Sequence, residues 1–363
     1  MNDGPSLPDL RRPNLLPAGT DLVRRMGDSA LAMAWRVLQP GDRSAFVRAD
    51  QPPLTRLRYR TDDGWSADLF HLPPVAGASG EPVILAHGLG GTHRDFALEA
   101  GRGLAVTLRA AGFSVYLFEH RGDPCAVPPP DAAPFSVDDL ATRDLPAAID
   151  RVVEHSGFPR VCWVGHGLGA QLYCLARAQG AEDRIAAASL IACPVRFESP
   201  ASTLRAAGLV AALLPRGWVI PTRRMQQFFT PFVAAGGDVA SPGTDGSRAR
   251  GRLRHAAGDL HGGVVRQVAR WVSEGALTDA SGRLDVLHAL RPALAQVVLP
   301  SEDPACPPGA SEPLVERLQA ECVRLPAGWG HLDPLLAEAA PEMVFAPVVS
   351  FLHRARGLTH HLA

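Results

Sequence analysis

The hydrophobic positions along the chain fall into short continuous runs separated by longer amphipathic stretches. The runs are Val83–Ala86 (VILA), Ser114–Phe118 (SVYLF), Val161–Val164, Ala187–Cys193 (AASLIAC), Leu294–Leu299 and Cys322–Leu325. Each is too short for a helix and too uniformly apolar for a strand with one wet face, so each predicts a strand buried on both sides. Between them, apolar residues recur three and four apart. That spacing predicts helices over Phe96–Ala111, Val137–His155, Leu168–Ala178, Ala310–Leu318 and about Ala346–His353. Strands alternating with helices imply a mostly parallel sheet wound with right-handed crossovers. Two earlier strands, Thr55–Arg60 and Ser66–Leu72, flank Asp62-Asp63-Gly64, which is hairpin turn chemistry.

The alternation is broken in two places. Residues 1–18 are rich in Pro, Gly and charge and predict a loose arm, followed by a helical pattern from Asp21 to about Leu38. From Arg196 to about Leu290 the pattern holds apolar helical pieces (Leu204–Leu214, Met225–Val233), a Gly/Ser-rich patch (Gly236–Gly251) and a further helix (Leu260–Glu274). The expected organisation is therefore an arm and added helix at 1–50, one α/β core at 51–195 and 291–363, and a helical insertion at 196–290. An insertion between two strands of one sheet reads as a cap over the C-terminal edge, where open α/β sheets bind ligands.

Composition narrows the function. A hydrophobic share of 46% and a charged share of 20% are those of a soluble globular protein. A formal net charge of −1 provides no field to draw nucleic acid or anionic membrane, so no nucleic-acid partner is expected. All the basic residues are Arg, which removes lysine bases and Schiff-base chemistry. The cysteines at 125, 162, 174, 193, 306 and 322 form no C-x-x-C pair, so no zinc or redox motif is expected, and a reduced, cytoplasmic setting fits. The N-terminal stretch has no basic-then-apolar signal pattern, and no apolar stretch reaches the ~18–20 residues of a membrane span. The histidines are dispersed and none pairs with Cys or a carboxylate at ligand spacing, so no metal is expected. No Walker A or dinucleotide signature is present either, so no cofactor is expected.

Three segments carry candidate chemistry. The first, Ala86-His87-Gly88-Leu89-Gly90-Gly91, follows a buried strand, and its glycines let backbone N–H groups turn toward a developing negative charge. The second, Val164-Gly165-His166-Gly167-Leu168-Gly169, is a G-x-S-x-G nucleophile elbow in all but its central residue. Its outer glycines make sense because strand and helix approach too closely there for side chains. The third lies after the late strands: Ser301-Glu302-Asp303 supplies an acid, with Asp303 preferred to Glu302, and Gly330-His331-Leu332-Asp333 supplies a histidine. Nucleophile position, acid, then base is the chain order of one large enzyme fold.

On these residues the chain resembles the α/β-hydrolase superfamily over most of Val83–Leu352. The similarity is closest to the acid-lipase branch (gastric and lysosomal lipases) and its bacterial relatives. The residues behind that narrower likeness are His87-Gly88, Phe135-Ser136-Val137-Asp138-Asp139-Leu140-Ala141, Asp144-Leu145-Pro146-Ala147-Ala148-Ile149-Asp150, the Gly165–Gly169 elbow and Gly330-His331-Leu332-Asp333. The resemblance implies an Asp303–His331 pair, an oxyanion hole from the N–H groups of Leu89 and Leu168, and acyl or lipid esters as substrate class. His87, Gly88, Gly165, His166 and Gly169 would support that site.

Where the family places its serine stands Gly167. Losing the nucleophile of such a triad costs about 10⁶ in turnover and leaves about 10³–10⁴ over water. Three readings follow. The chain could be a non-catalytic or much-weakened homologue binding a small apolar, acyl-type ligand. It could use His331–Asp303 as a general base on water or on a substrate proton. Or the glycine could replace a serine in an otherwise ordinary carboxylic-ester hydrolase.

Overall fold

The computed structural model describes residues 54–96, 102–181, 184–197, 213, 215–222, 256–303 and 305–360. The expected arm and added helix, and the helical pieces at 204–214 and 225–233 apart from Leu213, lie outside the described residues. The described residues begin with β1 (Thr55–Arg60) and β2 (Ser66–Leu72), paired antiparallel around the Asp62-Asp63-Gly64 turn. There Gly64 takes a φ of 88° and donates its N–H to Thr61 O. Then come β3 (Pro82–Ala86), α1 (Leu104–Ala110), β4 (Ser114–Phe118), α2 (Leu145–Ser156), β5 (Val161–His166), α3 (Leu168–Ala178) and β6 (Ile185–Ile191).

After β6 the chain leaves the sheet. It makes a two-residue ladder from β7 (Val219–Ile220) and β8 (Leu260–His261), runs through α4 (Gly262–Glu274), and rejoins the sheet as β9 (Ala295–Leu299). It ends with α5 (Pro308–Leu318), β10 (Glu321–Arg324) and α6 (Ala346–His360). The eight sheet strands run in the order β1-β2-β4-β3-β5-β6-β9-β10. β2 is antiparallel to both its neighbours, and every pairing from β4 to β10 is parallel.

The apolar strands β3, β4, β5, β6 and β9 are buried on both faces, but β10, expected to be buried as well, is the edge strand of the sheet and its residues are exposed or half-buried. In β3 all five residues are buried, and alternate side chains enter different cores. Ile84 and Ala86 join the cluster covered by α2, α3, α4 and α5; Val83 and Leu85 join the one covered by α1 and α6. That is period-two alternation in a strand with helices on both sides.

Two predicted helices differ in detail. The stretch Phe96–Ala111 is not continuous: a 3₁₀ turn ends at Phe96, and α1 begins only after Gly103, whose φ is 149°. The stretch Val137–His155 is helical but contains a π turn over Leu140–Asp144, where the Leu145 N–H reaches back to Leu140 O. Pro146 follows at once. Proline lacks an N–H and its ring crowds the carbonyl four residues back, a conflict that the wider π turn relieves. The same device recurs over Pro341–Phe345, just before Pro347. Among the described residues, no helix is long and apolar enough to cross a membrane. All six cysteines are free, and Cys174, Cys193 and Cys306 are buried among core side chains.

Candidate active site

Parallel strands bring their C-terminal ends to one edge, and each candidate residue sits just past such an end. β3 leads into His87-Gly88-Leu89, β4 into Glu119–Asp123, β5 into Gly167, β9 into Asp303, and β10 into His331.

Gly167 joins β5 to α3 with φ 53° and ψ −115°, a conformation that side chains of L-residues rarely adopt. Its N–H donates to Ile191 O at 2.9 Å, and its carbonyl accepts from Ala170 and Gln171 at 3.1 and 3.0 Å. The flanking glycines are required by contact. A Cβ on Gly165 would collide with the backbone of Gly169 and Ala170, and one on Gly169 with the carbonyl oxygens of Ala86 and His87. A Cβ on Gly167 would lie 3.2 Å from His331 Nε2 and 3.7 Å from Gly88 Cα. The imidazole is thus aimed at the apex of the elbow.

The other ring nitrogen, His331 Nδ1, meets Asp303 Oδ2 at 2.6 Å. Asp303 is 2% exposed, and its Oδ1 accepts from Ala305 and Cys306 N–H at 2.8 and 2.9 Å. Burial opposes the charge on this carboxylate, but His331 and those hydrogen bonds outweigh it and hold the pKa below the usual aspartate value. Glu302, the other acid weighed, instead accepts from Gly328 N–H at 2.9 Å. It ties the Asp303 loop to the His331 loop. Ser301 Oγ donates to the Pro326 carbonyl, a second tie between the loops after β9 and β10.

Leu168 is the first residue of α3 and Leu89 the exposed tip of the β3 loop, and both border one cleft. Among the described residues, neither of their backbone N–H groups donates a hydrogen bond within the protein. The cleft is small, open on one side to solvent, and lined by Phe135, Leu260 and Val264 as well as by His120, Asp123 and His261. Part of its lining comes from residues 256–264, which rejoin the core here: Gly258 N–H donates to Gly90 O at 3.0 Å, and His261 Nε2 to Gly122 O at 2.9 Å.

His166, the last residue of β5, directly precedes the elbow apex. Its ring centre lies 4.6 Å from that of His331, and its Nε2 donates to the His331 carbonyl at 2.9 Å, so it braces the histidine loop. Cys162 cannot stand in for a nucleophile, because burial pushes its thiol up to about 12. Cys174 packs against Cys193, with the sulfurs 3.9 Å apart.

The histidines are less dispersed than their spacing suggested. His87, His120 and Asp123 place ligand-type atoms all within 4.8 Å of one another. Only the His120/Asp123 spacing is local; His87 arrives from another strand, which no local pattern reveals. His87 Nδ1 faces the Gly88 carbonyl at 3.0 Å and its Nε2 faces Asp123 Oδ2 at 3.2 Å. Both are acceptor oxygens, an arrangement that favours a proton on each ring nitrogen over metal ligation. The cluster is an ion-pair network. A second network lies beneath it: Arg121, 1% exposed, bonds Asp144 through its N–H and Nε at 2.7 and 2.6 Å and Asp63 through its terminal nitrogens at 2.6 and 3.0 Å.

A family model described as the alpha/beta hydrolase family matches residues 83–346. Lipase member K of Homo sapiens is 28% identical over 137 residues, covering 34% of each chain. Gastric triacylglycerol lipase of Homo sapiens is 32% identical over 125 residues, covering 31% of each. The matched part thus spans about a third of the length of these curated relatives. Among solved structures, the monoacylglycerol lipase of Paleococcus ferrophilus superposes with a TM-score of 0.53 at 17% identity, covering 84% of this chain and all of that one.

Proposed function

The chain belongs to the alpha/beta hydrolase family, as a lipase- or esterase-like member, and on that premise we propose that it hydrolyses a carboxylic ester slowly, with His331–Asp303 acting as a general base on water. One observation carries this reading. Nε2 of His331 lies 3.2 Å from the point a Gly167 Cβ would occupy, while Asp303 holds Nδ1 at 2.6 Å. The imidazole is oriented for proton transfer at a place where only hydrogen stands.

A water at that place gives a proton to His331 Nε2 as its oxygen forms a bond to the ester carbonyl carbon. The carbonyl π electrons move to oxygen, and the resulting oxyanion accepts from the Leu89 and Leu168 N–H groups. The imidazolium then protonates the leaving alkoxide as its bond to carbon breaks, releasing an acid and an alcohol. Asp303 stays ionised and stabilises the cation. No acyl-enzyme forms. The apolar residues of the cleft, Leu89, Phe135, Leu168, Leu260 and Val264, favour an acyl group as the part of the substrate held.

The test compares p-nitrophenyl esters of several chain lengths on the native chain, His331→Ala and Gly167→Ser. Slow, saturable turnover without a burst, lost in His331→Ala, is the expected result. Turnover equal in the native chain and His331→Ala would overturn it. The missing hydroxyl at Gly167 favours one second reading, a non-catalytic homologue that binds an acyl ligand in the same cleft. That reading predicts saturable fatty-acid binding with no His331-dependent turnover.

A further inference from the structure

An oxyanion donor must point in one direction before the substrate arrives, and the Leu89 N–H has a visible means of being held. It shares a peptide with the Gly88 carbonyl. Among the described residues no peptide is cis, so the two bonds point opposite ways. Whatever fixes the carbonyl therefore fixes the N–H. Two donors reach Gly88 O: the Gly91 N–H at 3.0 Å, closing a turn in which Gly90 takes a φ of 67°, and His87 Nδ1 at 3.0 Å. His87 is 2% exposed, and its far nitrogen is anchored on Asp123 Oδ2 at 3.2 Å. The same carboxylate oxygen accepts the His120 N–H at 2.6 Å.

We propose that His87, held as an imidazolium by Asp123, is a positioning residue that locks the Gly88–Leu89 peptide with its N–H turned outward to receive an oxyanion. This deepens the hydrolase reading above and rests on its assignment of Leu89 as a donor. With both ring protons in place, each His87 nitrogen meets an acceptor. Remove one, and either the Gly88 carbonyl loses its side-chain donor or Asp123 loses its partner.

The groups around His87 agree. Burial opposes its charge; Asp123 and Glu119, both after β4, overcome that and lift the pKa to about 9. Burial and the His87 charge keep the neighbouring His120, whose ring centre is 4.9 Å away, below its ordinary value despite Asp123. Burial likewise opposes ionisation of Asp123, but His120 and His87 hold its carboxyl low. Glu119 is itself engaged by His93, through N–H and Nδ1 at 2.6 and 2.5 Å. His166 of β5 also approaches the loop, its Nδ1 3.1 Å from the point a Gly88 Cβ would occupy.

The experiment is a pH titration of the full native chain by carbon-detected nuclear magnetic resonance. It follows the His87 ring nitrogens and the correlation between the Gly88 carbonyl carbon and the Leu89 nitrogen, which needs no amide proton. We expect both ring nitrogens to be protonated at neutral pH, and the Gly88–Leu89 signal to move with the same midpoint as the ring, near pH 9. Asp123→Asn should lower that midpoint. Any ester turnover should fall through kcat more than KM along the same curve, by about tenfold or more. A His87 ring neutral at pH 7, or a Gly88–Leu89 signal indifferent to the ring's titration, would overturn the proposal. The native titration decides even if Asp123→Asn fails to fold. If the titration succeeds but no ester is turned over, the hydrolase reading fails while the locked peptide stands.

Discussion

Gly167 concentrates the chemical question in one residue. Its φ of 53° and ψ of −115° place it where an L-residue is strained, at a cost of about 1–3 kcal/mol. An added Cβ would also sit 3.2 Å from His331 Nε2, close enough that the imidazole must shift by a few tenths of an ångström. Gly167→Ser should therefore lower the thermal and urea midpoints while raising ester turnover by about 10³-fold or more, now with a burst of acyl-enzyme. Calorimetry and stopped-flow assays read the two effects separately. A serine variant that is more stable and still inert would mean that the elbow does not hold this backbone. The elbow itself was legible in the sequence because contact with backbone leaves no alternative to glycine at 165 and 169. The bracing of the His331 carbonyl by His166 was not, since a side chain's direction at the end of a strand depends on the neighbouring loop.

At the scale of elements, local patterning located every strand of the large sheet to within about two residues: the central β3, β4, β5, β6 and β9 because buried strands leave no polar interruption, and β1 and β2 because of the turn between them. It did not reveal the π turn in the helix after Ser136. One extra residue barely disturbs a helical period over a stretch that long, and Pro146 was the only sign of it. The turn has a structural consequence. It ends at Asp144, fully buried, which accepts two hydrogen bonds from Arg121 in the loop that carries His120 and Asp123. Asp144→Ala would leave Arg121 buried with Asp63 alone and should cost about 3–5 kcal/mol in urea unfolding. Asp63→Ala should cost far less, because its side chain is 30% exposed and water can replace it. Equal losses in the two variants would show that Arg121 is not held chiefly by the helix.

Across the whole molecule, the residues that matter most converge from separate strands. The family resemblance implied the Asp303–His331 pair, but alternating strands and helices did not give the order β1-β2-β4-β3-β5-β6-β9-β10 that also sets His87 beside Asp123. The convergence has a global signature in the pH dependence of stability. His87 is raised to about 9 in the folded chain, so its contribution is complete below the unfolded value near 6.5 and is lost as pH rises through 9. His71 has the opposite sign. Burial, with His155, lowers it to about 4, so the unfolded chain takes up a proton first and stability falls as pH drops from about 6.5 toward 4. Asp303, lowered, adds a loss at still more acid pH, as its carboxyl is protonated below the ordinary aspartate value. On the alkaline side stability should therefore decline as pH rises from about 6.5 through 9, by on the order of 2–3 kcal/mol by pH ~9–10. Urea unfolding across this range measures the curve. Asp123→Asn should start from lower stability and show a flatter alkaline limb, because the partner that raises His87 is gone. If the limb keeps its full slope in that variant, the buried cation beside the β3 loop is not the group that titrates.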